Sequence, residues 1–443
     1  MTSVLWFRRD LRIADHPALL AAAADGPVLA CFVLDPRLEA STGARRLQFL
    51  GDALRALNRR LDGRLLVTRG LPETVLPALC QTLGATSVHV TEDFSPFGRR
   101  RDRRAAAALS PTPLVATDSP YLVPPGRVRK DDGTPYRVFT PFLRRWRDAG
   151  WPSPARSERS STKFIDPATV SSTAPPTTIP DLGVRLGISA ESPAAQWAEF
   201  VTDGLAEYRT DRDRPDRDAT SRMSAHLKFG TLHPRTLAPD LSASEPGPGA
   251  FLRELAFRDF YAAVLYHWPR SAWNNWNENF DAIAIDTDAP AQQRFADWRA
   301  GRTGFPIVDA GMRQLAATGF MHNRVRMITA SFLVKDLHLP WQWGARWFLN
   351  QLIDGDVASN QHGWQWCAGT GTDAAPYFRV FNPAVQGEKF DPDGVYIRRW
   401  VPELASAADP HLRRGARPAG YPAPLVDHRR ERTEALRRYR ELR

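Results

Sequence analysis

Lysine is nearly missing from this chain. Only five of its 59 basic residues are lysines, at 130, 163, 228, 335 and 389. The other 54 are arginines, whose planar forks match phosphate oxygens and stack on flat rings. With a net charge of +10 and a pI near 9.9, a nucleic-acid partner and an arginine-rich solvated surface both fit this balance. Cysteine is just as sparse. Cys31, Cys80 and Cys367 are scattered and odd in number, which excludes a disulfide framework or a zinc site and fits a reducing compartment. No apolar run reaches the length of a membrane span. No basic segment followed by an apolar stretch opens the chain, so no signal peptide is expected. The dinucleotide fingerprint Gly-x-Gly-x-x-Gly does not follow the first apolar run.

What is present divides along the chain. The 443 residues suit two or three domains, and 43% hydrophobic content supplies a core. Short apolar runs at 4–7, 28–34, 65–68 and 87–91 alternate with helical patterns at 17–24, 44–61, 72–83 and 99–109. In 44–61, Leu47, Leu50, Leu54, Leu57 and Leu61 recur at helical spacing. Strand–helix alternation with short links predicts a doubly wound parallel α/β domain over 1–130. Residues 151–195 turn rich in Ser, Thr and Pro, and a connector is assigned to 131–195. From 196 to 443 the pattern is helical, with segments at 249–267, 311–320, 325–337 and 341–352. The fold class is thus α/β followed by an all-α domain.

Eleven of the 14 tryptophans lie after residue 190. They suit a packed core, and beside Asn, Gln and Arg they equally suit a flat ligand or exposed bases. Tyr208, Arg212 and the stretch Thr220-Ser221-Arg222-Met223-Ser224 bring hydroxyls and arginines to a helix start, where they can cap the helix or hold a phosphate. Glu254 to Tyr261 reads as a helix carrying charges on an apolar surface. In Met321 to Met327, Arg324 and Arg326 fall on different faces, so one can meet phosphate while the other pairs internally. Asp354-Gly355-Asp356 lacks the further carboxylates of a calcium loop, and no metal is expected. Gly369 to Arg379 is a Gly/Thr loop leading into aromatics.

Taken together, these segments resemble the photolyase/cryptochrome family, in particular its bacterial class I branch that repairs cyclobutane pyrimidine dimers. The resemblance rests on Leu5 to Arg12, Gly304 to Ala310, Phe320 to Leu337 and Gly363 to Lys389, in order along the chain. It implies a lyase with an antenna domain, a connector and a helical domain holding FAD. It implies FAD contacts from Tyr208, Thr220, Ser221, Arg222, Met223 and Ser224. Further contacts would come from Arg258, Asn323, Arg326, Asp354, Gly355, Asp356 and Asn360, with Asp354 paired to Arg326 and Asn360 facing the flavin. Glu254 would hold the damaged bases. Arg212, Phe257, Arg258, Asn323, Arg324, Met327, Trp366, Arg379 and Gln386 would line the pocket or contact DNA. Trp364 and Trp341 match the inner and middle members of a photoreduction chain whose outer member falls near Asp286, where there is no tryptophan; Trp298, Trp343 and Trp276 are the candidate substitutes. Phe257 stands where the family's dimer-repair enzymes usually carry a tryptophan. Asp35 and Asp93 lie in segments resembling members that bind 8-hydroxy-5-deazaflavin rather than methenyltetrahydrofolate as antenna. The implied partner is UV-damaged DNA, met by a monomer in the cytoplasm. The alternative within the family is a cryptochrome-type light sensor without repair.

Overall fold

The computed structural model describes every residue except 159–160, 374–375, 377–378, 414–416 and 443. The chain forms two compact units. One comprises 1–203, 221–244 and 251–269; the other comprises 204–220, 245–250 and 270–443.

The first unit is built on a five-stranded, wholly parallel sheet of order β3-β2-β1-β4-β5. Its strands are β1 (Thr2–Phe7), β2 (Val28–Leu34), β3 (Leu65–Arg69), β4 (Ala85–Val90) and β5 (Leu114–Ala116). Every residue of β2 is buried, as a strand covered by helices on both faces requires. The helix Ala44–Arg60 turns Phe49, Leu54 and Leu57 inward and carries Arg59 and Arg60 in its last turn, where cations oppose the helix dipole. The helix Pro72–Leu83 stops at Gly84, whose φ of 56° is the left-handed cap a Cβ would strain. β5, three residues long, gave no sequence signal. The stretch 131–195 holds a helix, Phe139–Ala149, that buries Phe139, Phe142, Leu143 and Trp146, so it is not structureless connector throughout.

The second unit contains helices only, among the described residues. Its core gathers Trp298, Leu315, Phe332, Trp341, Phe348, Trp364, Phe390 and Tyr396. The pattern read as one helix over 325–337 is two pieces: an α-helix, Asn323–Ser331, running into a π-turn, Phe332–Asp336. The wider turn carries Lys335 inward, where it is 1% exposed. No helix of the described residues is long and apolar enough to cross a membrane.

Candidate functional site

In the second unit, the segment 352–366 sets polar groups on a buried frame. Leu352 and Ile353 are buried, Asp354 follows half-buried, and Asp356 caps the helix Val357–Ala368 by accepting from the Ser359 N–H at 3.2 Å. Asn360 lies one turn on, its amide donating to the Ala345 carbonyl at 3.1 Å and to Gln361 Oε1 at 2.6 Å. Gly363 lies nearly one further turn along the same face. A Cβ placed there would meet nothing within 4 Å. The face Asp356–Asn360–Gly363 is therefore half-exposed, lined by amide and carboxylate groups, and flat at its far end. Those features fit a planar, hydrogen-bonding ring system.

Asp354 is held by Arg326, whose Nη2 lies 3.0 Å from Oδ2 while Nε donates to the Met321 carbonyl at 2.7 Å. Arg324, two residues earlier, turns away to Asp213 at 2.6 Å and over the ring of Phe390. Burial pushes the neighbouring His322 down to about 4, so it is neutral and accepts the Arg324 N–H as helix cap. Asn323 is exposed and Met327 half-buried on that helix. Trp366 lies under Arg379, whose carbonyl accepts from the buried Lys335 at 2.9 Å. Burial lowers Lys335 to about 8. Trp364 is 2% exposed, and Trp341 donates its N–H to Asn275 at 2.8 Å. Tyr208 is covered by the Arg212 guanidinium, Gln386 is half-buried in the helix Pro383–Phe390, and Gly355 donates to the Leu352 carbonyl. In the loop 369–379, Ala374, Ala375, Tyr377 and Phe378 lie outside the described residues.

The first unit holds the other half of the expected set, apart from Thr220, which closes the 204–220 segment of the second unit. Ser221 Oγ accepts from the Met223 N–H at 3.3 Å, and Arg222 takes a left-handed φ of 54° at the start of the helix Met223–Phe229. Ser224 is exposed, whereas the Met223 side chain is buried. Glu254 is half-buried on the helix Pro246–His267. Arg258 gives its guanidinium to the Pro120 and Leu227 carbonyls at 2.9 and 3.0 Å and covers Tyr121, so these groups take up donors the resemblance assigned to cofactor and substrate. Phe257 stacks on Phe139 with ring centroids 3.5 Å apart, and Arg253 lies over both rings.

Compared with known proteins, residues 3–159 match the DNA photolyase model and residues 251–441 match the FAD binding domain of DNA photolyase. Similar curated proteins are the deoxyribodipyrimidine photo-lyases of Vibrio cholerae (38% identity, 99% of each chain covered) and of Thermus thermophilus (40%, covering 99% of this chain and 98% of the relative). The chain belongs to the DNA photolyase family. Solved relatives include a class III photolyase from Agrobacterium tumefaciens, with a TM-score of 0.86 and 34% identity over 100% of this chain and 97% of that one. An archaeal photolyase from Sulfolobus tokodaii, solved with two FAD molecules, gives 0.85 and 29% over the full length of both. A cryptochrome from Synechocystis gives 0.88 and 28% over 98% of each.

This photolyase also has an ionic cluster at the carboxyl ends of β1 and β4. Those strands flank the point where strand order reverses, a position where open parallel sheets bind ligands. Arg8 and Arg101 cover the Trp6 ring, and Arg101 lies 3.2 Å from Asp93. Burial alone would raise the Asp93 carboxyl, but Arg101, Arg9 and Arg8 hold it at about 2. Asp35 caps the turn after β2 and is ion-paired to Arg37. Three groups escaped sequence reasoning: Asp213, Lys335 and Gln365. The first two anchor Arg324 and the Arg379 carbonyl, while Gln365 donates to the Ser271 carbonyl and accepts from the backbone N–H of Trp276. Only Lys335 left a signal, as a lone cation inside an apolar run.

Proposed function

We propose that this photolyase repairs cyclobutane pyrimidine dimers in UV-damaged DNA, using FAD held on the Asp356–Asn360–Gly363 face. The reading rests on full-length similarity to deoxyribodipyrimidine photo-lyases, joined to a helix face whose shape and donors suit a flavin. When bound and reduced, FAD supplies the light-excited electron that splits the dimer.

The chain's own residues supply the rest. Arg326 holds the Asp354 carboxylate in place, so it can accept from cofactor hydroxyls. Asn360 offers an amide to the ring and is steadied by the Ala345 carbonyl. Ser221, Ser224, Thr220, Arg222 and Tyr208 would take the phosphate and sugar portion, and Gly355 lets the backbone approach. Photolyases act on a nucleotide extruded from the duplex, and a damaged pair costs less to extrude than a sound one. Glu254 would accept from the extruded bases. Arg212, Arg379 and Gln386 would bind the flanking phosphates and make affinity fall with salt. Arg324, Asn323, Met327 and Trp366 would line the rim. Arg258 is already taken up by carbonyls, so its role is to brace the Glu254 helix. Phe257, stacked on Phe139, would present an aromatic ledge in place of a tryptophan.

The cluster around Trp6, Asp93 and Asp35 is our candidate for the antenna chromophore, with 8-hydroxy-5-deazaflavin as its occupant. The enzyme would act as a cytoplasmic monomer. The deciding experiment mixes chemically reduced protein with an oligonucleotide carrying one thymine dimer and follows the return of thymine absorbance under blue light and in darkness. Light-dependent return supports repair. Bound flavin without any return would instead favour a light sensor.

A further inference from the structure

Trp364 has ring neighbours that lead away from Trp341. Phe348 meets it edge-on at 4.9 Å between centroids, and Trp298 meets it at 6.1 Å and 70°. Trp298 is wholly buried and stacks on Phe295 at 5.8 Å, and Phe295 touches Trp343 at 5.3 Å. Trp298 and Trp343 are therefore at most about 11 Å apart. Trp343 is half-exposed on the helix Trp341–Gln351.

The direction through Trp341 is less favourable. Its indole opens on a cavity of about 190 Å³ lined by Phe280, Ile283, Ile285, His338 and Tyr439. Tyr439 borders this cavity, but its hydroxyl donates to the Ala368 carbonyl, which cannot take a proton, and burial raises its pKa well above the ordinary phenol value. Losing an electron there would strand the proton. Asp286, close by, is clamped between Arg294 and Arg438, whose charges oppose an electron vacancy.

We infer that photoreduction in this protein runs from Trp364 through Trp298 to Trp343, and this rests on FAD lying beside Trp364 as in the proposed function. One electron leaves Trp364 for the light-excited oxidised flavin. Trp298 refills Trp364, and Trp343 refills Trp298. The Trp298 N–H donates to the Thr329 carbonyl at 3.2 Å, an acceptor that steadies an oxidised ring without removing its proton, so the vacancy stays mobile. At Trp343 the oxidised ring loses its N–H proton to water. An external thiol then returns one hydrogen atom to it, and two thiyl radicals couple as a disulfide.

The test uses the full chain with oxidised flavin bound, excess thiol and no DNA, followed by transient absorption and steady illumination. In Trp343→Phe the first electron still leaves Trp364, but the long-lived tryptophan radical and net flavin reduction are lost. A merely structural defect would not separate these steps. In Trp298→Phe the long-lived radical is lost as well, with flavin absorbance and melting temperature confirming a folded holoprotein. Trp273→Phe and Trp276→Phe keep photoreduction. Wild-type photoreduction in both Trp298→Phe and Trp343→Phe, or its loss in Trp276→Phe or Trp273→Phe, overturns the route. Since no DNA is involved, the route is judged separately from dimer repair, which chemically reduced protein tests.

Discussion

Replacing glycine by alanine inside a helix normally stabilises it by about 1 kcal/mol. At Gly344 the opposite is expected. A Cβ there would fall within 2.7 Å of three carbons of the Trp364 ring. Carbon atoms in good contact are roughly 3.5–4 Å apart, so the indole would have to retreat by about 1.5 Å. It has little room: Trp364 is 2% exposed and held by Phe348 and Trp298. Overpacking of this kind costs about 1–3 kcal/mol, which offsets the helix gain and leaves Gly344→Ala destabilised by up to about 2 kcal/mol. Urea unfolding of wild type and variant measures this, with flavin removed from both so that binding does not enter the difference. The displaced indole should also change the photoreduction rate of the holoprotein. Equal or greater stability, with photoreduction untouched, would refute the packing argument.

Gly363 supplies the contrasting case. A Cβ there meets nothing, so Gly363→Ala should stabilise the flavin-free protein by about 1 kcal/mol, yet it should weaken flavin retention by occupying the proposed ring face; unfolding and flavin titration together check both signs. Arg326→Ala leaves the Asp354 carboxylate without its cation and should cost about 2 kcal/mol, seen as loss of flavin during gel filtration rather than loss of DNA affinity. Asp259 is buried, accepts from the Val123 N–H and the Trp146 indole, and is pushed up by burial to about 6. Since its unfolded value is about 3.9, the folded state holds this proton more tightly, so its contribution is greatest near pH 4 and is lost as pH rises to 6. That amounts to about 3 kcal/mol, and Asp259→Asn should flatten this part of the stability–pH curve. A variant curve parallel to wild type between pH 4 and 7 would contradict the assignment.

The sheet was legible wherever a strand is long and buried on both faces. Val28–Leu34 appears in the sequence as an unbroken apolar run and in the structure with the same ends. Leu114–Ala116 was not legible, since three partly exposed residues carry no period. The helix Phe139–Ala149 was hidden by Pro141 and by arginines at 144, 145 and 147, although Phe139, Phe142, Leu143 and Trp146 lie on one face. The π-turn was invisible because helical spacing does not distinguish i+4 from i+5 closure over five residues. Within the site, opposite faces for Arg324 and Arg326 followed from helical geometry. Their partners did not, because Asp213 is 111 residues from Arg324 and no local rule reaches that far. The family resemblance placed a tryptophan route through Trp341; the ring contacts that suggest another could be seen only in three dimensions.

The way the chain divides between its two compact units also bears on how such an enzyme can be rearranged. It passes from one unit to the other at 203/204, 220/221, 244/245, 250/251 and 269/270. A gene cut once at any of these junctions leaves at least one product with pieces of both units. Exchanging the α/β unit for that of a relative therefore requires five joints to match at once. The two units of this enzyme are poor candidates for independent shuffling, and substitution within each unit is the easier path to a new specificity.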